Sequence, residues 1–346
     1  MPDYPLVAEL GIAAAAAVAA CAALRCGGSN CSKAPAGAVL ITRHAERVDY
    51  DTRQKGGNWQ ASAERPWDTP ITAGGVLQAE ALGRAIKRRC AELGLPPLTR
   101  VFCSPLVRCV QTAAALCDTL DPPTDGEPSL RICVEPSLRE TSGEDWFRSW
   151  AVPGANGTWG GPETCRAGVE PASLRPEAET PSNGSRWDWL TPDTPELTRR
   201  VESAEAGSIA RAAARLDAGY QPFSFGSPMG GDEGFSWGSF ESEEMQVARL
   251  GRFFDHVSAA YPTETVLLVS HGGPSASLFR HTQRFQPPAS GWKVCKFCGL
   301  YAVQRAHRSA GEDAEWTALL EADHEHLAEV PSAAVDGLSS ALEQAK

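Results

Sequence analysis

The sequence predicts an α/β fold in which a mostly parallel central sheet is covered by helices on both faces. Residues 266–269 form an unbroken apolar run, which is typical of a strand buried on both faces of a sheet. Elsewhere, short aliphatic and β-branched runs alternate with segments in which apolar residues recur every three or four positions, as strands and helices do. With 346 residues, of which 42% are hydrophobic and 22% charged, the chain is long enough for such a core.

The first predicted strand leads into a charged loop. Residues 39–42 predict a short buried strand, and the sequence Arg-His-Ala-Glu-Arg follows directly at 43–47. In open α/β sheets, ligands bind beyond the carboxyl ends of the strands. The guanidinium groups of Arg43 and Arg47 suit phosphate, and His44 can act as a nucleophile or proton carrier near neutral pH. The loop therefore predicts phosphoryl chemistry if matching residues follow other strands.

A surface loop and an amphipathic helix are expected next. Residues 50–70 contain Gly, Pro and Trp without a clear period, and we expect them to form a loop over the site. Thr72 is expected to cap a helix that Gly94 ends and that packs one face on the sheet. Four basic residues are interpreted as the solvated outer face of this helix: Arg84, Lys87, Arg88 and Arg89.

A second strand, over 100–103, is predicted to lead into another helix. Ser104 as the N-cap and Pro105 as the first helical residue predict a helix that continues over 106–120. Arg108 then lies in the first turn, where free backbone N–H groups and the helix dipole also favour phosphate. This arrangement predicts a second phosphate-binding position at a strand end.

A third strand, over 131–134, precedes two candidate acids. Glu135 follows this strand directly, and Glu140 lies in the loop beyond it.

From about 141 to 238 the composition changes to Gly, Pro, Ser and Trp with little periodicity. Loops of this length are uncommon inside a compact domain, so we expect an irregular insertion that is either partly ordered over the site or disordered.

The last third of the chain contains the most apolar predicted strand and, after His44, the second histidine that is a candidate for the site. A helix is predicted over 241–261, with His256 as a surface residue off its apolar stripe. His271 ends the strand over 266–270, and the glycines that follow it allow the backbone to approach a bound anion closely. Two further strands are predicted at 298–304 and 316–322.

We expect three parts: an Ala-rich leader or anchor with a linker over 1–37, a main domain over 38–330, and a tail over 331–346. The apolar run at 10–24 is shorter than the roughly 20 residues that span a bilayer, and it lacks the basic flank of a secretory signal. Two alternatives stay open for it. It is either a soluble helix or leader of a cytoplasmic protein, or an anchor that places the protein at a membrane or in the secretory route.

Charge and cysteine content narrow the possible partners. The net charge of −11 and the absence of a long basic run argue against a nucleic-acid partner, so a phosphate site must be a local arginine cluster.

Cys295 and Cys298 have no second ligand pair at zinc-finger spacing, and His324-Glu325-His326 is interpreted as a solvated charged run, so no metal site is predicted. Five cysteines are expected to be small buried hydrophobic residues of a reducing compartment: Cys90, Cys103, Cys109, Cys117 and Cys133.

Five motifs occur along the chain in a characteristic order: Arg43-His44-Ala45-Glu46-Arg47, Ile71-Thr72-x-x-Gly75-x-x-Gln78-Ala79, Ser104-Pro105-Leu106-x-Arg108-Cys109-x-Gln111-Thr112-Ala113, Leu138-x-Glu140 and Leu268-Val269-Ser270-His271-Gly272. Together they resemble the histidine phosphatase superfamily, also called phosphoglycerate-mutase-like. Within it, the sequence looks most like the phosphatase domains of the suppressors of T-cell receptor signalling and the ecdysteroid-phosphate phosphatases. Ala45, where the commonest motif has Gly, and the long insertion depart from the family pattern.

The resemblance implies a three-layer sandwich fold and a phosphatase that needs no metal and no cofactor. His44 would attack a phosphate monoester to give a phosphohistidine, which water then hydrolyses. Arg43, Arg108 and His271 would hold the equatorial oxygens, and Arg47 would be a further clamp on the substrate.

The resemblance also assigns the acid. Glu140 would protonate the leaving alkoxide and later deprotonate the attacking water, while Glu135 is a lower-ranked alternative for this role.

Three functions follow from these residues. The first is a metal-independent phosphomonoesterase whose substrate is a small-molecule phosphomonoester or a phosphoprotein. The second is a phosphoglycerate mutase, which would keep the phosphoryl group and transfer it again. The third is a catalytically weak module that binds phosphate or phosphopeptides. The presence of both the candidate nucleophile and the candidate acid favours the first, since a binding module could dispense with either.

Overall fold

A computed structural model of the chain describes residues 36–59, 68–122, 128–141, 212, 214–223, 242–288, 290–306 and 315–331. All of them belong to one unit, Ala36–Lys346. The apolar run at 10–24, most of the predicted insertion and nearly all of the predicted tail lie outside these ranges. Among the helices that the structure describes, none has the length and apolar character to cross a membrane.

The described residues contain one mixed sheet. Its strands are β1 (Ala38–Arg43), β2 (Leu98–Cys103), β3 (Ile132–Val134), β4 (Thr265–Ser270), β5 (Leu300–Arg305) and β6 (Trp316–Asp323). They lie in the order β3-β2-β4-β1-β5-β6. The first four are parallel, whereas β5 is antiparallel to β1 and β6 is antiparallel to β5. The predicted mostly parallel sheet is confirmed, and an antiparallel pair extends one edge.

Five α-helices connect these strands within the described ranges: α1 (Val48–Gln54), α2 (Ala73–Glu92), α3 (Val107–Leu120), α4 (Glu243–Ala260) and α5 (Gly272–Thr282). Two 3₁₀ turns lie at Pro136–Leu138 and Glu325–Glu329. The predicted cap of α2 is confirmed, because the Thr72 hydroxyl accepts the Gly75 N–H at 2.8 Å.

Two predicted boundaries were wrong. Residues 50–70 are not a loop throughout, since α1 occupies Val48–Gln54 with Asp49 and Asp51 in its first turn, where carboxylates favour a helix. The helix expected to start at Pro105 begins instead at Val107, with Leu106 at the cap position.

Side chains of the sheet alternate between two hydrophobic cores. Leu40 belongs to the core that contains Leu82 of α2 and Val110 of α3. Its neighbour Ile41 belongs to the core that contains Phe253 of α4 and, from α5, Leu278. Successive side chains of a strand point to opposite faces, so β1 packs against helices on both of them. The predicted three-layer sandwich is therefore confirmed.

The cysteines that the structure describes are largely buried. Cys103, Cys109, Cys117 and Cys133 are buried free thiols, as are Cys295 and Cys298, and Cys90 is half-buried. Burial raises the pKa of Cys109, Cys117 and Cys133 to about 12 in each case. These thiols are therefore neutral at ordinary pH and pack as small hydrophobic groups.

The end of the described chain packs against the basic face of α2. Arg89 lies 2.9 Å from Asp323 and 2.8 Å from Glu325, and Arg88 lies 3.3 Å from Glu329. The solvated outer face predicted for α2 thus contributes ion pairs at this contact. His326 in this segment is only 2% exposed, so the interpretation of residues 324–326 as a solvated charged run was wrong for His326.

We expect Gly83→Ala to destabilise the protein by about 1–3 kcal/mol, the usual cost of overpacking a core. A Cβ at Gly83 would lie 2.7 Å from the carbonyl oxygen of Leu116, where α2 and α3 are in contact. The change in the free energy of unfolding is measured by urea titration. Gly273→Ala in α5 is the control, because a Cβ there meets only Thr141 Oγ1, at 4.0 Å. Equal effects of the two substitutions would contradict this explanation.

The free energy of unfolding should fall as the pH is lowered below the unfolded-state pKa of the buried residue His326. Burial lowers the pKa of His326 to about 4, so between the unfolded-state value of 6.5 and that pH only the unfolded chain takes up its proton. At pH 5 this effect removes about 2 kcal/mol of the stability present above pH 6.5. His326→Gln should flatten the pH dependence of the free energy of unfolding by that amount. Parallel curves for parent and variant would contradict the prediction.

Candidate active site

Side chains of α2 and α3 fix the loop that follows β1. The Ala45 N–H donates to Thr112 Oγ1 at 3.0 Å, and this hydroxyl donates to the Arg108 carbonyl at 2.7 Å. The Glu46 N–H donates to Gln78 Oε1 at 3.0 Å. Buried backbone groups of an irregular loop need such partners, so the motif residues Gln78 and Thr112 are explained by this loop.

One glycine allows this close approach. A Cβ at Gly75 would lie 2.7 Å from the carbonyl oxygen of Glu46, too close for any larger residue without a shift of the backbone. The Thr72 hydroxyl, which caps α2, also donates to Glu46 Oε2 at 2.9 Å. The start of α2 is therefore held directly against the loop.

His44, at the end of β1, is held in one tautomer. Its Nδ1 lies 2.7 Å from the carbonyl oxygen of Ala45. A carbonyl oxygen can only accept, so Nδ1 carries the proton and the lone pair of the neutral ring is on Nε2. Burial, and then the charges of Arg108, Arg43 and Arg47, hold the pKa of His44 well below its usual value. The ring is therefore neutral at physiological pH.

His271 and Arg108 lie beside it. The ring centroids of His44 and His271 are 5.3 Å apart, and Arg108 Nε donates to His271 Nδ1 at 3.3 Å. Because Nδ1 accepts, Nε2 carries the proton and donates to Ser104 Oγ at 2.8 Å. Ser104 therefore orients His271 and does not cap α3. Burial, and then Arg108 and the other nearby cationic and imidazole groups, lower the pKa of His271 well below its usual value.

Arg43 lies against an aromatic ring that the sequence did not indicate. Its guanidinium carbon is 4.1 Å from the centroid of the Phe297 ring, and its Nη1 donates to the Cys295 carbonyl at 3.0 Å. A Cβ at Gly272, the first residue of α5, would be only 3.4 Å from the guanidinium carbon. Phe297 lies in an irregular segment without periodicity, so no sequence pattern marked it as a site residue.

Arg47 has an acidic partner. Its Nε donates to Asp49 Oδ1 at 2.9 Å and its Nη2 to Asp49 Oδ2 at 2.5 Å, and both side chains are buried. Two nitrogens of the expected phosphate clamp are thus occupied by a carboxylate of the same segment. Sequence reasoning gave Asp49 no role, although it belongs to the same charged stretch.

The structure places the two candidate acids differently. Glu140 Oε2 lies 3.5 Å from His271 Nδ1 and 4.0 Å from Arg108 Nη2, and its side chain is 20% exposed. Glu135 is fully buried and accepts hydrogen bonds from the Tyr220 hydroxyl at 2.6 Å and from the Phe223 N–H at 2.9 Å. Only Glu140 is thereby brought to the cluster around His44.

Guanidinium and imidazole groups cluster at the carboxyl edge of the parallel strands, the place where open α/β sheets bind their ligands, and their charge and geometry suit an anion. The model of the histidine phosphatase superfamily (branch 1) matches residues 39–149 and 220–312, and the chain belongs to this superfamily. The membership predicted from the five motifs is confirmed. Among the residues that the structure describes, no group of three or more His, Cys, Asp or Glu side chains could hold a metal ion.

Comparison with individual proteins gives partial matches. Over 102 residues the chain is 32% identical to the ecdysteroid-phosphate phosphatase of Bombyx mori, a match that covers 30% of this chain and 13% of that protein. A mycobacterial glucosyl-3-phosphoglycerate phosphatase is similar with a TM-score of 0.41 and 17% identity, over 82% of this chain and 98% of that one. YhfR of Bacillus stearothermophilus gives a TM-score of 0.42 and 15% identity, over 84% and 100%.

We expect Asp49→Ala to destabilise the protein by about 3–5 kcal/mol, because it removes the described bidentate partner of a buried guanidinium. The measurement is the free energy of unfolding at pH 7. Asp51→Ala, in the same helix, is the control: its exposed pair with Lys55 should contribute about 1 kcal/mol or less. A loss for Asp49→Ala no greater than for Asp51→Ala would contradict the importance of the buried pair.

Proposed function

We propose that the protein is a phosphomonoesterase that acts through a phosphohistidine on His44 and requires no metal. The observation that carries this proposal is the neutral His44 ring, whose Nδ1–H is bound by the Ala45 carbonyl so that Nε2 keeps its lone pair. A nucleophile of this kind is available without prior deprotonation. The adjacent guanidinium groups supply the positive charge that a metal supplies in other phosphatases.

The first step is phosphoryl transfer to the enzyme. Nε2 of His44 attacks phosphorus, an N–P bond forms, and the bond from phosphorus to the leaving oxygen breaks. Glu140 donates a proton to that oxygen, so the alcohol leaves in its neutral form. Glu140 therefore has to carry a proton when the substrate binds.

The second step is hydrolysis of the phosphohistidine. Water attacks phosphorus while Glu140, now ionised, accepts its proton. The N–P bond breaks, and inorganic phosphate leaves the neutral His44 ring. One difficult displacement is thereby divided into two.

Arg43, Arg108 and His271 are proposed to bind the transferring group. Arg43 and Arg108 present fixed guanidinium donors, which are preorganised by contacts with Phe297 and His271. His271 Nδ1 is an acceptor in the structure, so it can donate to a phosphoryl oxygen only after it gains a proton. The negative charge of a bound phosphate favours that protonation.

Arg47 is proposed to act beside this cluster with its charge partly balanced by Asp49. Its bidentate pair with Asp49 fixes the guanidinium plane and balances its charge. It would orient the substrate through N–H groups that Asp49 does not bind more than it would attract the phosphate.

The substrate class is proposed to be a small-molecule phosphomonoester. The curated relative is named as a phosphatase of ecdysteroid phosphates, which are small phosphomonoesters. Because that match spans 13% of the relative, the name supports the class and no particular compound.

His44→Ala should lower kcat on an aryl phosphate by about 10³-fold or more, because the substitution removes the nucleophile. Turnover is measured with the full chain in the presence of a chelator. His256→Ala, which removes an exposed histidine of α4, is the matched control and should leave kcat unchanged. Radiolabelled phosphoryl-enzyme, trapped in alkali where phosphohistidine is stable, should form in the control and not in His44→Ala.

Other outcomes separate the alternatives. Equal turnover in parent and His44→Ala would overturn the proposed nucleophile. Phosphoryl-enzyme that transfers to an acidic acceptor without release of phosphate would favour a mutase. Phosphate binding without turnover in the parent would favour a binding module.

A further inference from the structure

The loop that carries Glu140 is tethered by a buried arginine of α4. Arg249 is 6% exposed, and its Nη1 donates to the carbonyl oxygens of Ser137 at 2.5 Å and Arg139 at 3.4 Å. These carbonyls lie three residues and one residue before Glu140. Hydrogen bonds from an ionised donor are stronger than neutral ones, so Arg249 restrains the backbone that leads into the carboxylate.

The other side of Glu140 is tethered by the same helix. The Thr141 hydroxyl donates to Gln246 Oε1, and Gln246 Nε2 donates to the Ser277 hydroxyl at 3.0 Å. Gln246 is 5% exposed and precedes Arg249 by three residues, so the two side chains emerge on one face of α4. The loop is therefore held both before and after Glu140.

A third tether links this loop to the phosphate-binding strand end. The Ser270 hydroxyl donates to the Leu138 carbonyl at 2.7 Å, and Ser270 directly precedes His271. Three successive carbonyls, at 137, 138 and 139, thus accept hydrogen bonds from side chains of α4 and β4. A short irregular loop with this many tethers has little freedom to move its carboxylate.

We propose that Arg249, with the help of Gln246, is a positioning residue for the acid Glu140. It fixes the loop so that Glu140 Oε2 stays beside His271 Nδ1, at the 3.5 Å separation seen in the structure. This role rests on the proposed function. A general acid must lie within hydrogen-bond reach of the leaving oxygen, and displacement by about 1 Å can cost about 10²-fold in rate.

The leaving group provides a readout that a purely structural role would not affect. An activated aryl oxide leaves phosphorus without a proton, whereas an alkoxide needs one. Loss of acid positioning should therefore slow alkyl phosphates strongly and activated aryl phosphates little. The ratio kcat/KM reports the steps up to phosphoryl transfer, so it excludes the later hydrolysis.

The experiment compares Arg249→Met with the parent over a series of aryl and alkyl phosphates of increasing leaving-group pKa. We expect kcat/KM to fall by about 10²-fold for alkyl phosphates and by no more than about threefold for the most activated aryl phosphate. The slope against leaving-group pKa should approach that of Glu140→Gln. Arg249→Lys, which keeps a cationic donor, should restore part of the difference.

The chain offers a matched control. Arg252 is an exposed arginine one turn further along the same helix, and Arg252→Met should leave the slope unchanged. A fall in Arg249→Met that is equal for all substrates, or a slope equal to that of the parent, would overturn the positioning role.

A second variant covers loss of folding. If Arg249→Met does not fold, Thr141→Val removes only the hydroxyl that contacts Gln246 and should steepen the slope in the same direction by a smaller factor. An unchanged slope in folded Thr141→Val would then overturn the proposal. A parent that turns over no member of the series would overturn the proposed function itself, which distinguishes that failure from failure of the positioning role alone.

Discussion

The organisation of this protein depends on holding several guanidinium groups next to one buried, neutral imidazole. Burial and the surrounding arginines both disfavour a second proton on the His44 ring, and the Ala45 carbonyl fixes the single proton of the neutral ring on Nδ1. Like charges in a confined space repel, so such a site is stable only where other elements hold each group. Asp49 offsets part of the charge through Arg47, and Phe297 packs under the Arg43 guanidinium.

The motifs acquire a common explanation from these contacts. Thr112 and Gln78 accept hydrogen bonds from the backbone N–H groups of residues 45 and 46. Their described role is to hold the loop that carries His44. Gly75 is required because the Glu46 carbonyl lies where a side chain would begin. Ser104 orients His271 because its hydroxyl oxygen accepts the Nε2–H of the His271 ring. The motif residues are therefore of two kinds, those proposed to bind phosphate and those that keep the first kind in place.

The two faces of the sheet divide this work. Helices α2 and α3 pack on one core and hold the loop with His44, whereas α4 packs on the other core and holds the loop with Glu140. The candidate nucleophile and the candidate acid are thus anchored to separate layers, and each lies beside His271 at the carboxyl edge of the sheet. A site built in this way ties its geometry to the packing of both cores, because a shift of either layer would change the separation of the two groups.

Local sequence patterns determined the α/β class, the buried strands at 39–42 and 266–270, the cap of α2 and the residues around His44. These features depend on periodicity, on capping chemistry and on charged residues directly after strands, and all three are visible in neighbouring positions. Tertiary structure decided the rest. Helix α3 starts at Val107, whose N–H donates to Asp68 Oδ1, 39 residues away in the chain, while the Ser104 hydroxyl contacts His271, 167 residues away. Three further features depend on segments that meet only when the sheet is assembled. They are the burial of His326, the contact of Arg43 with the Phe297 ring, and the position of Glu140 rather than Glu135 at the cluster. No local pattern records such contacts, because the free energy of burying or pairing a side chain depends on which distant residue packs beside it.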